Sequence, residues 1–303
     1  MKDFIIFSPP YDERIGGFVA LHKLCDLINK AGRKAWIFPY FDESEGSVST
    51  EELIGYIDSA LPWYRHEYPA PASLDCPLIP SAAILRDLDN TVVIYPEVIA
   101  GNPLQARHIV RWLLHDPGYH TGKIDYGPDE LLVRYSHATR AIELPDSCTA
   151  EQILMVFHLP DEYLGAHPER HTRSGTAYCL RKGKGRQIVH DTRDSILIDG
   201  KSNREIAEIF RRVETFISYD TRTAYSWLAA LCGCDSVVIP EEGIAESMWA
   251  PDPNEFVGVA YGFENLEKAR NERPLLLEKI RRDSEESLIN TINFLSEADA
   301  FFG

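Results

Sequence analysis

Four cations and two glycines occupy the six positions from Arg181 to Arg186, RKGKGR, in a chain whose formal net charge is −16. That composition suits a phosphate cradle. Glycine exposes backbone N–H groups, and Arg181, Lys182 and Lys184 supply charge. A solvated turn is the competing reading. A second polar corner, Tyr219-Asp220-Thr221-Arg222-Thr223, is followed by Ser226. Its carboxylate can accept from sugar hydroxyls, and its hydroxyls beside a helix N-terminus can hold phosphate oxygens. Simple helix capping by Asp220 or Thr223 is compatible with either role. Glu97 ends an apolar run and is a candidate acid/base group, or else a carboxylate capping the next loop. Glu241 and Glu242 follow another apolar run, where they meet a donor sugar's hydroxyls or lie on an exposed loop. Gly16 and Gly17 form either a tight turn or a loop that lets a ligand approach the backbone. His115, His120 and His137 are weaker candidates, since a lone histidine is more often structural.

The elements that must position these residues follow from periodicity. Phe216 to Glu242 reads as strand, polar turn, helix, tight turn at Gly233 and buried strand, a βαβ unit. Such a unit predicts a parallel sheet with a crevice at the strand C-termini. Thr176 to Leu180 predicts a strand that delivers RKGKGR to the same crevice. Ser195–Ile198 and Phe256–Ala260 read as further strands, and Asn203–Val213 as a helix. Glu264 to Ala300 reads as helix, broken near Pro274 and kinked around Ser284. Earlier in the chain, strand 4–7, the Gly16-Gly17 loop, helix 18–31 and strand 35–39 make a Rossmann-like opening without the G-x-G-x-x-G fingerprint. Residues 42–80 read as an irregular connection with a short helix. Thr91–Tyr95 is a buried strand. Asn102-Pro103 opens a predicted helix with Ile109, Val110, Leu113 and Leu114 on one face. Strands are expected at 131–135, 141–144 and 153–157. Residues 161–175 have a linker's composition, which sets the expected domains at 1–165 and 166–303.

The acidic balance argues against a nucleic-acid partner, whose binding rests on many Lys and Arg. No apolar run approaches the roughly 18–20 residues of a membrane helix. The N-terminal apolar run reads as a strand rather than a signal peptide, so the expected location is cytoplasmic, in solution or peripheral to the inner membrane. The six cysteines are scattered and read as reduced thiols. Cys232 and Cys234 have no second pair at zinc spacing, so no metal site is expected.

Three stretches carry a resemblance: GGFVALHKLCDLINKAG, YPEVIAGNPLQARHIVRWLLHDPG and YDTRTAYSWLAALCGCDSVVIP. Through them the chain resembles the GT-B glycosyltransferases, in particular the large retaining family that contains many bacterial polysaccharide enzymes. The resemblance implies an α/β chain with two facing Rossmann-like domains and C-terminal helices. The first domain would take the acceptor and the second a nucleoside diphosphate sugar. It implies no cofactor and no metal, with basic side chains and helix dipoles stabilising the departing diphosphate. By the same resemblance Gly16 and Gly17 match a glycine loop near the donor phosphates. Arg181 and Lys182 lie near a basic pair that grips the pyrophosphate. The family often carries two glutamates eight positions apart, and here Asp220 and Leu228 fall at those places. Leu228 departs from the pattern at the position that usually meets the ribose. With Asp220 and Glu97 as catalytic candidates, the expected activity is glycosyl transfer to a glycan or lipid-linked acceptor in surface polysaccharide synthesis. A nucleotide-sugar epimerase of the same plan and a non-catalytic nucleotide-sugar-binding protein are the alternatives.

Overall fold

The computed structural model describes residues 2–39, 50–67, 69–137, 139–165, 172–251 and 256–303. The chain is α/β and forms two compact units, residues 1–158 with 283–303 and residues 159–282. The expected boundary at 165/166 adjoins residues outside the described set, as does part of the 42–80 connection.

The first unit is built on a wholly parallel sheet. Its strands are β1 (Asp3–Ser8), β2 (Ala35–Pro39), β3 (Thr91–Pro96), β4 (His108–Leu113), β5 (Leu131–Arg134) and β6 (Cys148–Thr149), in the order β2-β1-β3-β4-β5-β6. Alternation in β1 sends Phe4 and Ile6 to one face and Ile5 and Phe7 to the other. Helix α1 (Gly16–Lys30) covers the first face through Leu21, Leu24, Leu27 and Ile28. Helix α2 (Thr50–Glu67) covers the second through Ile57 and Leu61. It is an 18-residue helix with Pro62 inside, longer than the short helix read from the sequence.

The helix predicted after Asn102-Pro103 does not form. Residues 108–113 are β4 instead, with five of the six positions buried. Asn102 closes a turn: its side chain accepts from the Ala106 amide and donates to the Ala106 carbonyl, both at 2.9 Å. The apolar residues that suggested a helical stripe lie on both faces of a buried strand, where period gives no guidance. Residues 141–144 and 153–157 are irregular rather than strands. The connections from β3 to β4 and from β4 to β5 therefore contain no helix. Their share of the first face is filled from the far end of the sequence. Phe294, Leu295 and Ala298 of the terminal helix belong to the same buried cluster as Val110, Trp112, Leu131 and Val133, and the Phe294 ring lies 6.2 Å from that of Phe4. The segment 283–303, assigned from the sequence to the second domain, thus belongs to the first unit.

The second unit carries β7 (Thr176–Cys179), β8 (Ser195–Leu197), helix α3 (Asn203–Arg212), β9 (Thr215–Ser218), helix α4 (Tyr225–Leu231) and β10 (Asp235–Val238). After them come helix α5 (Glu246–Trp249), β11 (Val259–Tyr261) and α6 (Leu266–Glu272), and then α7 (Leu276–Phe302), of which only residues 276–282 belong to this unit. All five strands are parallel, in the order β11-β10-β9-β7-β8. Ser202 starts α3 with a capping box closed by Glu205. The break at Pro274 is present as a short 3-10 turn, while α7 runs through Ser284 as one helix. No helix among the described residues is long and apolar enough to cross a membrane. None of the six cysteines is in a disulfide, and Cys148 alone is exposed.

Candidate functional site

In the second unit, β7 lies between β8 and β9, so the chain's winding reverses between β7 and β9. The C-terminal ends on either side of that switch point open a crevice. Both segments singled out by composition end there. RKGKGR follows β7, beginning as a 3-10 turn over Arg181–Gly183, and the Asp220 corner follows β9.

Arg181 adopts a left-handed backbone, φ 42°. A residue that carries a Cβ costs on the order of 1 kcal/mol in that region and needs a reason to be there. The reason is Asp199, whose carboxylate accepts from the Leu180 amide at 3.2 Å and the Arg181 amide at 2.9 Å. The Arg181 guanidinium is thereby set 3.9 Å from the Asp220 carboxylate and over the Tyr225 ring, 5.1 Å from its centroid. Lys182 and Lys184 are exposed and have no ion-pair partner among the described residues. Gly183 is pressed against the neighbouring strand end. A Cβ there would sit 2.1 Å from the Tyr219 carbonyl oxygen.

Arg186, counted with the patch by composition, does something else. It donates to the carbonyls of Tyr219 (2.6 Å), Ile239 (2.9 Å) and Pro240 (2.5 Å), three acceptors past the ends of β9 and β10. Tyr219 is fully buried. Its hydroxyl accepts from the Val189 amide at 2.8 Å and lies 2.8 Å from His190 Nδ1. Arg186 and Tyr219 therefore clamp the basic turn to β9 and leave the other three cations at the edge. Asp199, Arg186 and Tyr225 were not singled out from the sequence. Arg186 looked like one more charge, and Asp199 is separated from its amide partners by 18 and 19 residues.

The remaining candidates divide by burial. Asp220 is 4% exposed; its Oδ1 accepts from the Arg222 amide at 3.0 Å, and its carbonyl accepts from Ser218 Oγ. In this geometry Asp220 acts on Arg181 and on its own turn. Thr221 donates to Glu241 at 3.1 Å, which brings Glu241 to the corner. Glu242 is exposed beside it. Thr223 accepts from the Tyr225 amide at 3.3 Å, closing the first turn of α4. Ser226 is fully buried, and its hydroxyl has no partner among the described residues. It faces inward, away from solvent, as does Leu228, which packs in the core.

In the first unit the switch point lies between β1 and β3. The loop into α1 leaves β1 there, and Glu97 follows β3. Neither Gly16 nor Gly17 has a positive φ. A Cβ at Gly16 would meet nothing within 4 Å, and one at Gly17 only Leu114 Cδ1 at 3.7 Å. Neither turn geometry nor packing requires glycine at these two places. The same Leu114 donates its amide to Glu97 at 3.1 Å. Tyr126 donates its hydroxyl to the Glu97 carbonyl at 2.7 Å. Burial raises the Glu97 carboxyl to about 6, outweighing nearby backbone N–H groups that favour its ionised form. His115 and His120 cluster with the exposed Tyr119 just beyond Leu114. His137 lies exposed after β5.

This carboxyl gives a pH-dependent prediction. A folded-state value above the unfolded one makes ionisation destabilising. Its contribution is fully present below about 4.5 and lost as pH rises through about 6. Glu97→Gln removes the penalty, so the variant should exceed the parent by up to about 2 kcal/mol above pH 7. The gap should close toward pH 4.5. Melting temperatures of both proteins across pH 4.5–8 check this, and a gap independent of pH would refute it.

Among the described residues no cluster of His, Cys, Asp or Glu is placed to hold a metal ion. No protein-family model and no curated protein matches the chain. Solved structures similar to it across nearly its whole length include these three. "Spinosyn Forosaminyltransferase SpnP" is 12% identical with a TM-score of 0.42, over 99% of each chain. The MurG of Acinetobacter baumannii is 7% identical with a TM-score of 0.36, over 98% of this chain and 100% of its own. An "alpha-glucosyltransferase (AGT) in complex with UDP" is 9% identical with a TM-score of 0.48, over 100% of both.

Proposed function

We propose that the chain is a glycosyltransferase of the GT-B kind that draws its sugar from a nucleoside diphosphate sugar held by the second unit. The observation that carries this reading is Arg181. It is fixed in an unfavourable backbone conformation by Asp199, steadied by Asp220 and Tyr225, and flanked by two unpaired lysines at a switch-point crevice. A preorganised cation group of that kind suits a diphosphate whose charge grows as its bond to the sugar breaks. In the transfer, the acceptor hydroxyl oxygen bonds to the anomeric carbon, the carbon–oxygen bond to the diphosphate breaks, and the diphosphate leaves with the electron pair. The acceptor's proton needs a base. In the first unit Glu97, with a carboxyl near 6, is suited to take it. The basic group takes the place a metal ion has in other phosphate sites, so we assign no metal. The acceptor is a glycan or lipid-linked saccharide, in line with surface polysaccharide synthesis.

Leu228 favours a second reading, a protein that binds a nucleotide sugar without transferring it. Its side chain is in the core, and no acidic group stands at that place on α4.

Calorimetric titration with UDP and GDP tests the donor site. Arg181→Ala and Lys182→Ala should each weaken binding by about 1–3 kcal/mol, as for hydrogen bonds to charged groups. Unchanged affinity in both variants would sink the assignment. Incubation with a panel of nucleotide sugars then separates the two readings. Release of free diphosphate nucleotide supports transfer chemistry, while binding without turnover supports the second.

A further inference from the structure

The first unit contains a cavity of about 180 Å³, walled by Tyr11 from the loop after β1, His22 of α1, Ile37 and Pro39 of β2, Tyr64 of α2, and Leu78. An apolar cavity of about 150 Å³ is enough to hold a benzene ring. The described wall is mainly proline, aliphatic and aromatic, with two strongly polar members, the exposed Arg65, which donates to the Pro80 carbonyl at 3.4 Å, and the buried His22. His22 is 3% exposed, and its Nδ1 lies 2.9 Å from the Phe18 carbonyl oxygen. A carbonyl only accepts, so Nδ1 carries the proton and Nε2 is left as a lone-pair acceptor. Nε2 has no hydrogen-bond partner among the described residues. Burial pushes the imidazole down to about 4, so it stays neutral at ordinary pH. The Tyr11 ring stands edge-on to it, 5.3 Å between centroids.

We propose that this cavity is a binding site for a single aromatic ring carrying one hydroxyl, a phenol-class ligand whose hydroxyl donates to His22 Nε2. The ring's body meets Ile37, Pro39, Leu78 and the tyrosine rings, and its one donor meets the acceptor that His22 leaves vacant among the described residues. A pyranose is the poorer match. Most of its hydroxyls would be left without partners against this wall, at about 1–3 kcal/mol for each unsatisfied group. Occupancy of the cavity is independent of whether the chain transfers sugar.

The test uses the full chain with 4-fluorophenol and fluorobenzene as probes, followed by fluorine NMR. 4-Fluorophenol should bind about tenfold more tightly than fluorobenzene, the worth of one neutral hydrogen bond. His22→Phe should abolish that difference while leaving fluorobenzene binding in place. Ala70→Phe, at another wall position, should abolish binding of both. In the unaltered protein the nitrogen-15 resonance of His22 Nε2 should move on adding 4-fluorophenol and not on adding fluorobenzene. Failure of both probes to bind, equal binding of the two, or an unmoved Nε2 resonance each overturns the proposal. The resonance decides the matter if His22→Phe does not fold.

Discussion

Arg111→Met is expected to destabilise the first unit by about 3–5 kcal/mol, the cost of leaving a buried charge without its partner. Arg111 on β4 and Glu130 are both fully buried, and the guanidinium meets the carboxylate through two hydrogen bonds of 2.8 Å. Its other donors serve the carbonyls of Ile99 (2.7 Å) and Gly101 (2.8 Å). The rings of Tyr95 and Tyr126 lie 5.1 and 4.5 Å from the guanidinium carbon. Removing Arg111 strands Glu130 and two loop carbonyls at once. Replacing both charges, Arg111→Met with Glu130→Leu, should recover the part of the loss owed to the uncompensated charge, while the Ile99 and Gly101 carbonyls stay without their donor. Amide exchange in β4 and β5 reads the effect within this unit alone. A double variant no more protected than Arg111→Met would contradict the account. The loop held by Arg111 also carries Glu97, whose carbonyl accepts from Tyr126 of the next connection, so loss of any activity should accompany the loss of protection.

Gly183→Ala is expected to be the most damaging small substitution in the second unit. The added carbon would lie 2.1 Å from the Tyr219 carbonyl oxygen, 2.5 Å from its carbon and 3.1 Å from Tyr219 Cβ. Two of these atoms are backbone, and Tyr219 is held by Arg186 and fully buried. The basic turn must therefore lift from β9, at about 3 kcal/mol, the upper end for overpacking. Lifting it moves Arg181, Lys182 and Lys184 together. UDP or GDP affinity should fall by about 100-fold, more than either single-cation variant gives on average. Calorimetry and melting temperature measure the two effects. Parental affinity in a folded Gly183→Ala protein would show that the turn's position is irrelevant to binding.

Much of the second unit could be read from the sequence because its grammar is local. Strand, corner, helix, glycine stop and strand follow one another from Thr215 to Val238, and each boundary has its own residue signal. The first unit was less legible where its partners are distant. Residues 108–113 suggested a helix because Ile109, Val110, Leu113 and Leu114 fit one helical face after Asn102-Pro103, whereas in the strand the charge that is buried is Arg111. Its neutraliser, Glu130, is 19 residues away, and no local rule reports that pairing. The site followed the same division. RKGKGR and the Asp220 corner were visible as composition, whereas the separate task of Arg186 depends on carbonyls up to 54 residues distant.

The return of residues 283–303 to the first sheet bears on how this protein is made. Synthesis runs from the N-terminus, and domains ordinarily fold as they emerge. Here the strands of the first sheet leave the ribosome long before Phe294, Leu295 and Ala298, which complete one of its faces. Until then the cluster that holds Phe4, Val110 and Trp112 lacks these three members, while the clusters within residues 159–282 are complete in themselves. The nascent chain is thus set to mature its later half before its earlier one, with one face of the first sheet incompletely covered in the interval.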